Sequence, residues 1–463
     1  MGARHIHFRL FAVILLLAPL PLGSNRPVTW TLLALVVGLL CLTWPLVLRQ
    51  ERDAPILSVR PLALPLTLFG AALAWAFLQT VPGLPVDWHH PLWRAVAGAL
   101  GPDRQVAGRI GLSPSAAVTG ILRLLCYAGV FWLAFLHAGS RRRAWRLVDL
   151  LAMAGAAYAL YGLGVQLTGA RSILWMEKWA YQDVLTSTFV NRNSYATFAG
   201  MGILCAVTVV LRRLSDEEGV IRPLRRFDRT TGLYALGGMA MVLALAATES
   251  RGGMLATIAG MVSYPVLLML TRLRPRHRLV LGLTLGLGSV GLMMILIGLV
   301  PATPGGDIAD RQRIYRTVAG LIAERPWLGH GLGSFPAVMA MARTPEITQV
   351  WTEAHQTYLE LGLELGIPAA CLLLLAILSL VAHCLLGDDR RPSDRLLRAL
   401  GLSATLLVAI HATVDFSMQI PAVAVTWVAI IGTVVGRYGK RAGTGVQVRT
   451  VQGNRDGTST PLA

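Results

Sequence analysis

The stretch TEAHQTYLELGLELGIPAACLLLLAILSL, residues 352–380, begins polar and runs into an apolar segment long enough to cross a membrane. Runs of about 18 or more apolar residues constrain a chain more than any other pattern, because backbone polar groups in lipid must be satisfied within the element. Twelve such segments can be placed, at 8–22, 28–48, 62–80, 116–138, 147–167, 189–211, 231–248, 253–271, 279–300, 357–386, 397–416 and 420–436. They are rich in Leu, Ala, Gly, Met and Val and lack the alternation of an outer-membrane strand, so they read as helices. With 54% hydrophobic and only 14% charged residues, the chain has too little charge to cover a soluble surface. The expected fold is an all-α polytopic membrane protein of about 12 transmembrane helices. Segment 8–22 has the charged start and apolar middle of a signal peptide. PLPLGSN lacks a small-x-small cleavage site, however, and a second span follows at once, so the segment is read as an uncleaved helix.

A net charge of +18 would suit nucleic acid if it formed one patch, but its distribution follows the spans. With the N-terminus inside, 28 of the 42 Lys and Arg fall in inner segments and 13 in outer ones. RRR at 141–143, RLRPRHR at 272–278 and DDRRPSDR at 388–395 therefore mark the cytoplasmic side. No nucleic-acid partner is expected. The five cysteines, Cys41, Cys126, Cys205, Cys371 and Cys384, sit within or at the ends of spans and form neither a disulfide framework nor a metal spacing. The chain thus divides into spans one to nine with short loops (1–300), an outer loop (301–356), spans ten to twelve (357–437) and a polar, Gly/Thr-rich cytoplasmic tail (438–463) read as disordered. The loop between spans nine and ten is the longest soluble stretch, with helix-like sequence at 311–324 and turns in GHGLGSFP at 329–336, so order is expected.

This topology gathers polar residues on one side. FVNRNSY (189–195) puts Asn191, Arg192 and Asn193 at the outer start of span six, and TESRGG (248–253) puts Arg251 in a tight outer turn. Arg311, Arg313 and Arg316 come early in the long loop and His355 ends it. Outer arginines run against the positive-inside tendency. Salt bridges to Asp307, Asp310, Glu324, Glu346 or Glu353 would explain them one by one. Taken together they resemble an anion site, since a diphosphate needs several charge-assisted donors and the guanidinium fork suits phosphate oxygens. Arg123, inside span four, can snorkel, pair with a carboxylate of the bundle, or form a lower rung of that site. Outside any motif an interfacial histidine such as His355 is more often a hydrogen-bonded structural residue than a catalyst, yet a neutral imidazole with an ordinary pKa of about 6.5 can take a proton from a hydroxyl at neutral pH. A continuous helix would put His355, Leu359, Gly362 and Gly366 on one face, with Tyr358 beside it and a glycine groove beneath the imidazole. Glu360 and Glu364 share the adjacent stripe with Gln356 and should face the bundle. In HATVDFSMQIP (411–421), His411 and Asp415 are expected on one helix face, as a structural pair or as residues orienting the site. His89 and His90 show no further metal ligand.

FVNRNSY, TESRGG, DRQRIYRTVAGLIAERPWLGHGLGSF (310–335), AHQTYLELGLELG and HATVDFSMQIP, in this order and on this side, resemble the O-antigen ligase/Wzy polymerase superfamily from WAFLQTVPGLP (75–85) to about residue 425. The ligase pattern is His, then Asn, Ser or Gln, nine residues, Gly, two residues, and Gly, Thr or Tyr. His355, Gln356 and Gly366 fit and Ala369 departs. The family's loop arginine with an aromatic four residues on is matched by Arg311 and Tyr315, where many members have tryptophan. The resemblance implies a GT-C-like fold in the bacterial inner membrane and an active site facing the periplasm. It implies a donor glycan on undecaprenyl pyrophosphate and a metal-independent, inverting transfer without cofactor to lipid A–core, another repeat unit or another acceptor. His355, Arg311 and Arg251 would be catalytic. Arg192, Arg313, Arg316, Asn191, Asn193, Gln356, Tyr358 and Arg123 would contact substrate, with His411 and Asp415 behind them. Ligase and polymerase share this donor. A transporter or flippase of a lipid-linked anion is the non-enzymatic alternative, but it would place basic residues at the midplane, and here most sit at one surface.

Overall fold

The computed structural model describes residues 2–50, 58–101, 106–216, 222, 226–299, 307–345, 347, 349–387 and 391–438. The side chain of Asp307, Glu346 and the tail after Tyr438 lie outside the described residues. Among those described, the helices are α1 (Ala3–Leu17), α2 (Pro27–Gln50), α3 (Ala63–Leu78), α4 (Pro91–Leu100), α5 (Pro114–Ala138), α6 (Arg141–Leu167), α7 (Arg192–Leu214) and α8 (Arg229–Ala247). They continue with α9 (Arg251–Leu270), α10 (Pro275–Leu299), α11 (Asp307–Glu324), α12 (Phe335–Met341), α13 (Thr357–Leu365), α14 (Ile367–Leu386), α15 (Pro392–His411) and α16 (Pro421–Tyr438). A two-stranded hairpin, Ser172–Ile173 with Met176–Glu177, is the sole sheet among the described residues.

Among the described residues ten helices (α2, α3, α5 to α10, α14 and α16) are long and apolar enough to cross a membrane, so the chain is an all-α polytopic membrane protein. The two other expected spans are α1, only 15 residues long, and α15, which opens with Asp394, Arg395 and Arg398. Where 8–22 was expected, α1 runs from Ala3 to Leu17, because Pro19 and Pro21 cannot donate to a helix and the chain turns away through left-handed Leu22, Gly23 and Ser24. Burial grades from centre to rim. All 18 residues of α16 are buried, and its Gly432 and Gly436 let it lie on the α5 backbone, where an added Cβ would come within 2.5 Å of Phe131 O and 2.4 Å of Phe135 O. At the other extreme, α10 turns Leu287, Leu292 and Ile295 outward, the pattern of a lipid-facing helix.

The expected span 357–386 is not one helix. It breaks at Gly366, whose φ of 76° is left-handed, into the short α13 and the membrane-length α14. Two sequence features enforce the break. Pro368 sits in the first turn of α14, and a Cβ at position 366 would lie 2.5 Å from Trp327 O. The freed carbonyls at the end of α13 are satisfied by the GHGLGS loop and by α3. His330 N donates to Leu363 O (2.9 Å), Gly331 N to Glu364 O (2.8 Å), Gln79 Nε2 to Glu364 O (2.9 Å) and Trp75 Nε1 to Leu365 O (2.8 Å). The WAFLQT and GHGLGS segments therefore hold the end of α13 in place. The glycine groove beneath His355 does not exist: Gly362 faces Ile322 of α11, and Gly366 is a hinge.

Candidate active site

Two helices begin at this site, each with a capping side chain and then an arginine. The Asn191 side chain accepts from Asn193 N (2.7 Å) at the start of α7, and Ser250 Oγ accepts from Gly253 N (3.2 Å) at the start of α9. Hydrogen bonds tie these N-termini together. Ser250 Oγ donates to Asn193 Oδ1 (2.7 Å), and Asn193 Nδ2 donates to Asp415 Oδ1 (3.0 Å). Asp415 is fully buried in the turn between α15 and α16, and its other oxygen accepts the Ser417 hydroxyl. Burial alone would raise this carboxyl. The donors and positive charge around it, from His355, His411 and Ser417, bring it down to about 2, so the carboxylate is ionised at neutral pH.

His355 precedes α13 rather than riding on it, with Gln356 as the helix cap accepting from Leu359 N (2.6 Å). His355 has a φ of 51°, a left-handed conformation uncommon for a residue with a side chain. Tyr315 Oη donates to its carbonyl (2.9 Å), and Trp351 and Phe416 pack edge-on against its ring, with centroids 5.4 and 4.8 Å away. The ring is thereby turned so that Nδ1 is buried 3.6 Å from Asp415 Oδ1. That is an ion-pair separation slightly long for a hydrogen bond, as catalytic contacts in unliganded sites often are. Nε2 has no hydrogen-bonding partner among the described residues, and 18% of the side chain is exposed. An imidazole whose inner nitrogen faces a buried carboxylate and whose outer nitrogen is open is arranged to accept a proton at Nε2.

Cationic groups lie beside it. Arg311 Nη1 donates to Val414 O (2.7 Å), next to Asp415, and Arg311 also reaches Tyr315, whose hydroxyl burial pushes up to about 12. Gly252, adjacent to Arg251, packs against Val414 and His411, where an added Cβ would meet Val414 Cγ2 at 3.0 Å and His411 Nε2 at 3.4 Å. Arg251 is exposed and unpaired among the described residues, as is Arg316. Arg192 lies over the Tyr181 ring (5.5 Å), with Glu249 3.9 Å away. The positive ends of two helix dipoles and these guanidinium groups share one end of the bundle, a setting that favours an anion.

Several expectations need correction. His411 and Asp415 are not a pair on one helix face, because α15 ends at His411; His411 Nδ1 bonds Thr197 Oγ1 (2.5 Å) and Asp415 turns to Asn193 and His355. Gln356 and Asn191 are occupied as helix caps, and Tyr358 Oη donates to Ala409 O (2.8 Å), so these three side chains are engaged in the scaffold. Arg123 stands over the Trp30 ring (5.2 Å), joining α5 to α2. Arg313 pairs with Asp310 (3.5 Å), the one loop arginine for which an expected acidic partner is found among the described residues. His90 Nε2 meets His330 Nδ1 (3.0 Å) in the loop scaffold. Among the described residues no three His, Cys, Asp or Glu side chains are grouped to hold a metal ion. Sequence reasoning missed Ser250, Thr197 and the role of Tyr315. The first had a signal, being a serine immediately before a helical run.

Residues 236–374 match the family model described as O-antigen ligase. The matched segment holds Arg251, Arg311 and His355, whereas Asn193, His411 and Asp415 come from outside it and complete the cluster through the fold. No curated protein matches the chain.

Proposed function

We propose, starting from the match of residues 236–374 to the O-antigen ligase family model, that the chain transfers a glycan from undecaprenyl pyrophosphate to an acceptor hydroxyl at the periplasmic face of the inner membrane. The observation that carries this reading is the buried Asp415 carboxylate 3.6 Å behind His355 Nδ1, with Nε2 open and Arg311 fixed one residue away at Val414.

The donor is already activated, so the chain has to supply placement, charge stabilisation and a base. The acceptor O–H gives its proton to His355 Nε2 as its oxygen bonds to the anomeric carbon, and the bond from that carbon to the pyrophosphate oxygen breaks. The imidazolium is stabilised by Asp415, and the leaving undecaprenyl pyrophosphate takes the electron pair, its growing charge met by Arg311, Arg251 and Arg192. One displacement inverts the anomeric centre, and every proton and charge in it is accounted for by these side chains. Lipid A–core is the proposed acceptor, on the strength of the His355–Gln356–Gly366 ligase pattern.

The test is transfer by the purified chain from a defined undecaprenyl-pyrophosphate glycan, with lipid A–core or a second donor molecule offered as acceptor. En bloc addition to lipid A–core is expected. A product ladder built on the donor alone would make the enzyme a polymerase, and no transfer to either would refute the reading.

A further inference from the structure

Glu360 carries a buried carboxyl group that the chemistry above does not use. Only 5% exposed on α13, it has Glu364 one turn further on. Burial raises both carboxyls above their ordinary range, and Glu364 adds repulsion at Glu360. A pair of acids in such a place costs stability, and an apolar pair would fill the same helix face, so their partners matter. Glu364 accepts from Phe335 N (3.1 Å) and belongs to the GHGLGS scaffold. Glu360 has other partners. Its Oε2 accepts from Ala354 N (2.8 Å), the residue before His355, and its Oε1 accepts from Gln419 Nε2 (2.7 Å). Gln419 closes the turn Ser417–Gln419 that follows Asp415, and Ser417 in that turn donates to the Asp415 carboxylate.

We infer that Glu360 is a positioning residue for transfer, a two-pronged acceptor that clamps the segment carrying His355 to the segment carrying Asp415. The inference rests on the base role proposed for His355. Two other bonds join the same segments, Thr357 N to Ala412 O (2.9 Å) and Thr357 Oγ1 to Asp415 O (2.9 Å). Of these ties, Glu360 alone reaches the chain before His355, where the backbone is held left-handed. Without it Ala354 N–H loses its acceptor, and extended backbone at His355 becomes the easier conformation. Its ring would then swing from Asp415, and a 3.6 Å contact has no slack to absorb the movement.

The experiment measures kcat and donor KM for the full chain in lipid nanodiscs, with an undecaprenyl-pyrophosphate glycan and its acceptor. Glu360→Ala and Gln419→Ala are each expected to lower kcat about 100-fold, the scale of an ångström of misplacement, with donor KM within about threefold. Their combination should be no worse than Glu360→Ala alone, because one clamp is lost either way. Glu360→Gln should stay within about threefold of the parent kcat: its amide oxygen accepts from Ala354 N–H, and a flipped Gln419 accepts from its amide nitrogen. If Glu360→Ala fails to insert, Gln419→Ala, whose side chain is partly exposed, decides the matter. Full kcat in Gln419→Ala, or Glu360→Gln as impaired as Glu360→Ala, would overturn the inference. His355→Ala separates the two levels. Full activity there refutes the base role, whereas an inactive His355→Ala beside fully active Glu360→Ala and Gln419→Ala refutes the clamp alone.

Discussion

Replacing Asp415 by Asn changes one charge at the centre of the site while keeping its shape. The amide oxygen can still accept from Asn193 Nδ2, so the bond that holds the start of α7 to the Asp415 turn survives. What is lost is the anion facing His355 Nδ1 at 3.6 Å. At an effective dielectric of about 20, two unit charges at that separation attract by roughly 4–5 kcal/mol, which sets a ceiling of about 10³-fold on the stabilisation of a protonated imidazole during transfer. We expect kcat to fall by about 10²- to 10³-fold, with donor KM and thermal midpoint little changed. Single-turnover transfer from a radiolabelled lipid-linked glycan, at saturating acceptor, reads kcat directly, and a thermal scan checks the fold. Because Asp415 stays ionised down to about pH 2, its stabilising contribution is complete above the ordinary carboxylate range and fades only as pH falls toward 2. The parent enzyme should not lose activity through Asp415 at any working pH. A variant within fivefold of the parent rate would refute the reasoning that Asp415 supports His355.

Three further outcomes follow from the geometry. Arg311→Ala should reduce transfer by roughly 10²-fold or more, the cost of about 2.7–4 kcal/mol for one oxyanion donor, and Arg311→Lys should recover little of it because a single ammonium cannot serve Val414 O and a phosphate oxygen with the same fork; steady-state kinetics of both variants check this. Gly366→Ala should destabilise the protein and lower its thermal midpoint in detergent, since the position is left-handed and a Cβ would lie 2.5 Å from Trp327 O. Burial, with the charges of His330 and Arg325, lowers His90 to about 3, so the unfolded chain binds protons there below about pH 6.5 that the folded chain refuses. Thermal stability should therefore be complete above pH 6.5 and decline as the pH falls toward 3, and His90→Asn should flatten that decline.

The sequence was most informative where physics acts locally. Long uncharged runs located most of the spans, and of the residues that the charge count had put on one side, the structure brings His355, Asn193 and Arg311 to Asp415 and its neighbour Val414. It was least informative where a residue's role is set by what packs on it. A helical wheel carried His355 through to Gly366 as one face because a single glycine is tolerated in a helix. The left-handed hinge becomes necessary only once the Trp327–Gly329 turn lies against it. The Gly-Ile-Pro sequence at 366–368 was the available warning, as a proline in a helical run marks a helix start. In the same way His411 and Asp415 look paired by spacing, yet their partners Thr197 and Asn193 are more than 200 residues away in sequence. Glu360 and Glu364 were expected to face the bundle, but nothing in their spacing indicated that one would hold the loop scaffold and the other the segments bearing His355 and Asp415.

His355 as the base is tested most directly by single-turnover transfer by His355→Ala alongside its equilibrium binding of the lipid-linked donor. Donor affinity is expected within a few-fold of the parent, because the anion is held by the arginines, with no detectable transfer. Transfer within tenfold of the parent rate, with the donor bound as before, would contradict the base role.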